Sequence, residues 1–491
     1  MASLHEIREE RLRKLALLKA KGMDAFPLSA RPDATLAAAA KEFAKLSKKK
    51  GGIALAGRVM ALRGQGAILF FDLYDGTGKF QGLVKKDELP EEAMSLFADT
   101  VDIGDFIEVR GTLFLTKRKE KTILAKEWRM LAKSLRPLPD KWHGLSDVEE
   151  RFRRRYLDLL MSAEVKERFV VRSSVIAFFR EYLNAEGYLE VETPILQELA
   201  GGALAEPFRT HHHALDMDLY LRIAPELYLK ELLVGGFTKV YELSRNFRNE
   251  GVDATHNPEF TMLEYYEAYG TAAGQRAFVE KMLRALVKKL FKKTSIEYGG
   301  EKIDFAAPFA VVPYFDLLRR HALIPHPEKA SRAELANKAA QLAVDVKEGD
   351  SAEKILDNIY KKAVRPKLVE PTFIVDYPVA FSPFAKAKEG NPAFIDRFQL
   401  VVGGLELVNA FSELNDPEEQ RVRYGREEKK RKGGEKDISP SDESYLEAME
   451  YGMPPAAGLG LGVDRLTMLL TDVRNIKEVI LFPTMRPRKG E

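Results

Sequence analysis

Between Tyr241 and Tyr266 the chain reads YELSRNFRNEGVDATHNPEFTMLEYY. This one stretch gathers guanidinium groups at Arg245 and Arg248, carboxylates at Glu250 and Glu264, an imidazole at His256 and an aromatic ring at Phe260. Apolar Val240, Tyr241 and Leu243 precede the charged run; Gly251 and Asn257-Pro258 punctuate it, and the chain returns through Phe260, Met262, Glu264 and Tyr266. Period-two alternation on both sides of a polar connection predicts two antiparallel strands joined by a long loop. Such a hairpin can hold a planar cation, an acid, an imidazole and a ring over one pocket. Binding a nucleoside triphosphate asks for that set: a guanidinium fork for phosphate oxygens and an aromatic face for the base. A solvated charged hairpin is the plainer alternative, but polar groups and rings in register favour a site.

Other chemistry-bearing patterns fail on spacing. Gly458, Gly460 and Gly462 would need a further glycine at Val463 to make a dinucleotide fingerprint, and Gly78-Lys79 lacks the upstream glycine and the Ser/Thr of a phosphate loop. His211, His212 and His213 are consecutive, so they cannot all face one ion on a regular strand, and there is no H-E-x-x-H. With no cysteine, disulfides and thiolate metal sites are excluded. A net charge of only +3 leaves nucleic-acid contacts to local basic patches. No apolar run approaches the roughly 20 residues of a membrane span and no signal-peptide pattern opens the chain, so a cytoplasmic protein is expected, with neither membrane nor DNA as partner.

The elements that must position the hairpin follow from the rest of the chain, whose 491 residues, 45% hydrophobic, can fill more than one core. Residues 1–50 read as a helical extension and linker: Leu4, Ile7, Leu12, Leu15 and Leu18 mark an amphipathic surface helix, its Glu6, Glu9 and Glu10 argue against a transit peptide, and Lys48-Lys49-Lys50 ends the segment. Residues 51–135 hold five strand-like runs with one helix between the third and fourth, the pattern of an OB barrel, a fold that binds oligonucleotides. Phe70, Phe71 and Phe80 lie in it; neighbours on a strand face opposite sides, so at least one is core. A proline-stiffened linker spans 136–150, and 151–491 is read as one further domain, interrupted by a lysine-rich, mostly helical insertion at about 295–372.

R-N-F-R-N-E followed by H-N-P-E-F-T-M-L-E closely resembles motif 2 of the class II aminoacyl-tRNA synthetases, and most closely the lysine-specific ones. The helix, Gly187 and strand ending at Pro194 resemble motif 1, the family's dimer interface; G-L-G-L-G-V-D-R-L resembles motif 3; F-F-x-L-x-D and Phe80-Gln81 resemble the family's anticodon-binding barrel. The resemblance covers nearly the whole chain. It implies an α+β protein with an antiparallel catalytic sheet flanked by helices behind an N-terminal OB barrel, a homodimer joining lysine to ATP and then to tRNA(Lys), with Mg2+. It also implies roles. Arg248 would hold the α-phosphate and carboxylate, Glu250, His256 and Asn257 would shape the motif 2 loop, and Phe260 and Arg465 would flank the adenine, Arg465 also reaching phosphate. Glu406 and Glu413 would carry the metal. Strict strand alternation sets those two on opposite faces, so a bulge must lie between them or only one is a ligand. Glu226, Glu264, Tyr266 and Glu419 would receive the lysine ammonium, Gly202 would make room for the α-amino end and Asn415 would fix the carboxylate. Phe70, Gln81 and Glu127 would hold the central anticodon base. Glu206, His213 and Tyr451 depart from the family's usual residues. Alternatives are an aspartate- or asparagine-specific relative, a lysine ligase acting on a protein, and a non-catalytic RNA-binding paralogue.

Overall fold

The chain divides into two units, Met1–Gly144 and Leu145–Glu491. The structure, a computed structural model, describes residues 3–65, 67–139, 145, 147–203, 205–432 and 440–488. The linker predicted at 136–150 therefore lies partly outside the described residues. Among the described residues no helix is long and apolar enough to cross a membrane.

In the first unit α1 (Leu4–Ala20) starts on a capping box, in which the Ser3 hydroxyl accepts from the Glu6 N–H and the Glu6 carboxylate accepts from the Ser3 N–H. Strands β1 (Ile53–Gln65), β2 (Ile68–Tyr74), β3 (Lys79–Lys85), β4 (Phe106–Leu115) and β5 (Lys121–Ala132) close into a barrel in the order β1-β2-β3-β5-β4, with α2 (Glu91–Thr100) between β3 and β4. Alternation sorts the side chains: Phe71, Leu73, Phe80, Val109, Ile123 and Met130 fill the interior, while Phe70 and Asp72 point outward. Two of the three phenylalanines are core. Leu18, Leu36 and Ala39, from the segment read as a separate extension, belong to the same apolar cluster as the barrel interior. The extension is thus packed onto the barrel, because its apolar stripe has no other core to enter.

The second unit is built on a nine-stranded sheet. Its helix α3 (Ala163–Ala185), capped by the Ser162 side chain, runs to Gly187, whose φ of +83° turns the chain into β6 (Leu189–Glu190). Then follow α4 (Glu226–Val234), β7 (Lys239–Phe247), β8 (Glu259–Ala268), α5 (Ala272–Phe291), β9 (Ala310–Pro313), β10 (Thr372–Pro378), β11 (Asn391–Val402), β12 (Leu405–Ser412), α6 (Pro417–Lys432), α7 (Glu443–Glu450), β13 (Ala456–Gly462) and α8 (Val463–Leu470). Eight of the strands follow the spatial order β9-β10-β11-β12-β13-β8-β7-β6, antiparallel except at the two ends, where β6 runs parallel to β7 and β9 to β10, and the ninth, Ala387–Lys388, pairs with β11. The expected α+β class and antiparallel catalytic sheet are borne out. α3, α5 and α8 contribute to one large core and α4 and α7 to another. The segment read as a helical insertion differs in its opening: Ser295–Tyr298 and Glu301–Asp304 form a hairpin, and β9 joins the main sheet before the helices begin. Lysine-rich composition hid both, since a four-residue edge strand has too few positions to show a period.

Candidate active site

β7 and β8 pair in unbroken register from Lys239 opposite Glu267 to Phe247 opposite Glu259, so residues 248–258 form the connecting loop. The loop is braced from within. The Arg248 N–H donates to the Pro258 carbonyl at 2.8 Å, Asn257 Nδ2 donates to the Glu259 carbonyl at 2.7 Å, and the Asp253 carboxylate accepts from the Thr255 and His256 N–H groups. Next to it, Gly460 and Gly462 of β13 lead into α8, whose first turn carries Asp464 and Arg465. Asp464 accepts from the Thr261 N–H at 2.7 Å and pairs with Arg172 of α3 at 2.5 Å, which ties this turn to β8 and to α3.

Two adjoining cavities open over this face of the sheet. The first is lined by Arg248, Glu250, His256, Asn257, Phe260, Glu406 and Arg465 together with Gly460 and Gly462. These are the residues expected to bind ATP. Arg465 reaches the His256 Nε2 at 2.9 Å, which makes that nitrogen an acceptor and leaves Nδ1–H to donate to Asp253 at 2.9 Å. The Arg248 guanidinium lies 5.0 Å over the Phe260 ring, and its Nε is buried without a hydrogen-bond partner. Burial lowers the pKa of both arginines, yet a guanidinium stays charged, so two poorly hydrated cations face the cavity. Arg245, by contrast, is engaged with Glu259 at 2.7 Å.

The second cavity is lined by Gly202, Ala224, Glu226, Glu264, Tyr266 and Phe384, and shares Arg248, Met262, Asn409 and Gly460 with the first. Glu226 opens α4, because Pro225 ends the preceding extended chain and Leu227, Leu229 and Leu233 pull the helix into the core. Gly202 has a φ of +81°, and a Cβ there would lie 2.9 Å from the Glu226 Cβ; only glycine lets this wall form. At Gly458 a Cβ would fall 2.2 Å from the Tyr266 ring and 2.4 Å from Glu413 Oε1. Burial, with Glu226 nearby, pushes the Glu264 carboxyl up to about 8 against the pull of Arg248; Tyr266 OH donates to it at 3.3 Å. Burial likewise raises Glu226 in spite of Lys230.

The two carboxylates expected to share a metal are separated. The required bulge is present: Val401 faces Glu406 while Leu400 faces Val408, leaving Leu407 as the extra residue. Glu406, however, opens β12 and Glu413 lies just past its end, so about 20 Å of extended chain lies between them. Burial raises Glu406, but Arg465, Arg365 and Arg397 more than offset it and keep the carboxylate ionised beside the first cavity. An ionised oxygen donor there fits a divalent cation completed by phosphate oxygens. Glu413 does not join it in this structure: its Oε2 lies 2.5 Å from Lys230 Nζ, and burial pushes its carboxyl up to about 8 despite that ammonium. Among the described residues no group of three or more acidic or imidazole side chains could hold a metal ion by itself.

Other expected residues fall elsewhere. Glu419 is exposed on α6 and bound to Arg423, and Asn415 accepts from Lys386 at 2.6 Å and donates to the Met453 carbonyl. Neither lines the second cavity, because each is drawn to a neighbouring cation instead. Glu206, His213 and Tyr451 are exposed, and His211 faces Asp216 and Asp218. On the barrel, Phe70, Gln81 and Glu127 all lie on the outer face; Gln81 accepts from the Thr122 hydroxyl at 2.9 Å. Two cations were not anticipated. Lys230 could have been found from its i,i+4 spacing to Glu226 on a helix whose only other charged residue is Glu231. Arg365, 3.3 Å from Glu406, comes from the insertion and carries no local signal.

Comparison with known proteins gives a consistent result. Residues 53–131 match the OB-fold nucleic acid binding domain, and residues 147–486 match the tRNA synthetases class II (D, K and N). Proteins named lysine–tRNA ligase are 46% identical in Pelotomaculum thermopropionicum (99% of this chain, 96% of that one) and 45% identical in Syntrophomonas wolfei (100% and 99%). One from Thioalkalivibrio sulfidiphilus is 44% identical over 98% of each chain. With a sheet, an arginine-lined cavity and an acidic cavity arranged as described, and with these matches over its length, the chain belongs to the class II tRNA synthetases (D, K and N).

Proposed function

We propose that the protein is a lysine–tRNA ligase. The observation that carries this is the shared wall: Arg248 stands between a cavity suited to a nucleotide and a cavity whose titratable groups include three carboxylates, Glu226, Glu264 and the underlying Glu413. An amino acid with its carboxylate at Arg248 and a long ammonium among those acids matches both ends. Aspartate would place a second carboxylate among them, and asparagine would leave them uncompensated.

The reaction needs no protein nucleophile. A lysine carboxylate oxygen attacks the α-phosphorus, the bond to the bridging oxygen of the β-phosphate breaks, and pyrophosphate leaves with that electron pair. In the second step a hydroxyl of the tRNA's terminal ribose attacks the adenylate carbonyl and AMP departs. Arg248 offers a fork to both the carboxylate and the α-phosphate, holding them in line, and Arg465 with His256 meets the remaining phosphate charge. Phe260 supplies a flat apolar face for adenine. A divalent cation, which we assign as Mg2+, would be held by Glu406 and supplies charge neutralisation for the leaving phosphates; Glu413 reaches such an ion only by leaving Lys230. Phe70, Gln81 and Glu127 on the barrel surface are assigned to the anticodon of tRNA(Lys), by stacking and hydrogen bonding. A homodimer through the motif 1 segment is supported by Val170, Leu189, Ile195, Leu196 and Leu199, large apolar residues that stay exposed there. The cytoplasm, where translation runs, is the compartment this activity implies.

Amino-acid-dependent exchange of labelled pyrophosphate into ATP, run with each amino acid in turn, tests the assignment. Lysine should support exchange far above all others; aspartate or asparagine exceeding it would overturn the reading.

A further inference from the structure

Lys230 is a charged residue that none of the roles above employs. It is fully buried, one turn after Glu226 on α4, and its Nζ lies 2.5 Å from Glu226 Oε1 and 2.5 Å from Glu413 Oε2. Three rings surround the ammonium, with centroids at 5.0 Å for Phe384, 5.4 Å for Phe411 and 6.0 Å for Tyr266. Of the residues named, Glu226, Tyr266, Phe384 and Phe411 also line the second cavity, so the seat of Lys230 is the back of that cavity's wall. Glu413 Oε1, in turn, is buried with no hydrogen-bond partner.

The charge count is informative. Three carboxyl groups, Glu226, Glu264 and Glu413, meet one resident ammonium, while Arg248 and Arg397 stand on the cavity's lining; burial holds Glu264 and Glu413 at about 8, so they give up their protons when a second ammonium arrives. Free lysine brings two ammonium groups to this cavity and one carboxylate to Arg248. A neutral amino acid brings only one ammonium. Without Lys230, Glu226 and Glu413 would lose the ammonium that holds each of them at 2.5 Å, and two buried carboxyl groups left without it settle by hydrogen-bonding each other. That draws them together and takes the Glu226 carboxylate out of its place in the wall.

We infer that Lys230 is a positioning residue that sets amino-acid selection: its ammonium spaces Glu226 from Glu413 and orients the Glu226 carboxylate in the cavity wall, where the substrate's own ammonium meets it. The inference rests on the lysine–tRNA ligase reading. It assigns Lys230 an action through Glu226, without contact to ATP.

The test is pyrophosphate exchange by the full-length enzyme, measured first for the wild type, whose response to lysine judges the functional reading independently. In K230M the KM for lysine should rise at least about tenfold, as expected when one partner of a buried charged pair is removed, while the KM for ATP stays within about twofold. Discrimination between lysine and norleucine should fall by a similar factor. In K230A, methylammonium chloride should restore the lysine KM by filling the vacated seat, and tetramethylammonium should not. An unchanged lysine KM in folded K230M, or an equal loss for lysine and ATP, would overturn the proposal. K230Q, one atom shorter but retaining N–H donors without the charge, serves if K230M does not fold. Failure of both to fold in the presence of lysine would likewise count against it, since Lys230 would then serve the core and not the substrate.

Discussion

Arg248 and Glu264 carry opposite lessons about burial. Arg248 keeps its charge where solvation is poor, so its interaction with developing phosphate charge is strong. Arg248→Ala is expected to lower the rate of adenylate formation by a factor corresponding to about 3 kcal/mol or more, with the fold retained. Single-turnover formation of lysyl-adenylate measures this, and a near-normal rate would remove Arg248 from the chemistry. Glu264 gives a pH dependence. Its carboxyl, at about 8, holds a proton at neutral pH in the ligand-free cavity, with Glu226, Glu242, Arg248 and Tyr266 as its charged and hydrogen-bonding neighbours. An arriving ammonium favours the carboxylate, so binding lysine releases the proton. Affinity for lysine therefore rises with pH up to about 8 and levels off above it, by about tenfold per unit for each proton released. Glu413, raised to the same range, adds to the slope. Calorimetric titration in buffers of different ionisation enthalpy counts the protons; Glu264→Gln should release fewer, and no proton release in the wild type would contradict the assignment.

At the scale of elements, three pieces of extended chain make the site: the β7–β8 hairpin, the glycine strand β13 leading into α8, and the turn from Gly202 to α4. The hairpin was legible in the sequence because its polar and apolar positions alternate over both arms. The turn was not, because Gly202 and Glu226 are far apart in the chain and the glycine is explained only by the positive φ and by the space a Cβ would lack, 2.9 Å from the Glu226 Cβ. Gly202→Ala adds a Cβ at that contact and imposes a left-handed backbone costing about 1–3 kcal/mol on a non-glycine residue. Lysine binding should weaken about tenfold or more, while ATP binding at the hairpin is spared. Equal weakening of both ligands in binding titrations would show that the turn supports the whole sheet.

For the whole molecule, each unit has its own apolar core, the barrel cluster in the first and two clusters behind and beside the sheet in the second. A fragment starting at Leu145 should therefore fold, and every residue of both cavities lies within it. It is expected to exchange pyrophosphate with lysine at a rate close to that of the full chain and to aminoacylate tRNA poorly, having lost the OB-fold nucleic acid binding domain. Equal aminoacylation efficiency, measured as kcat/KM for tRNA, would mean that the barrel does not select it.

Motif order, strand alternation and the five-strand pattern determined the family, the two-part architecture and most residues that line the first cavity, since those signals are local: each motif's residues are neighbours in sequence and share one hairpin or one turn. Tertiary structure decided the rest. It packed the N-terminal helices into the barrel core, added β9 to the sheet, and left Glu419 on Arg423 and Asn415 on Lys386, outside the second cavity's lining. It also set Glu413 against Lys230 and Arg365 against Glu406. These outcomes depend on which buried charges meet, and a sequence gives the charges without the distances that pair them.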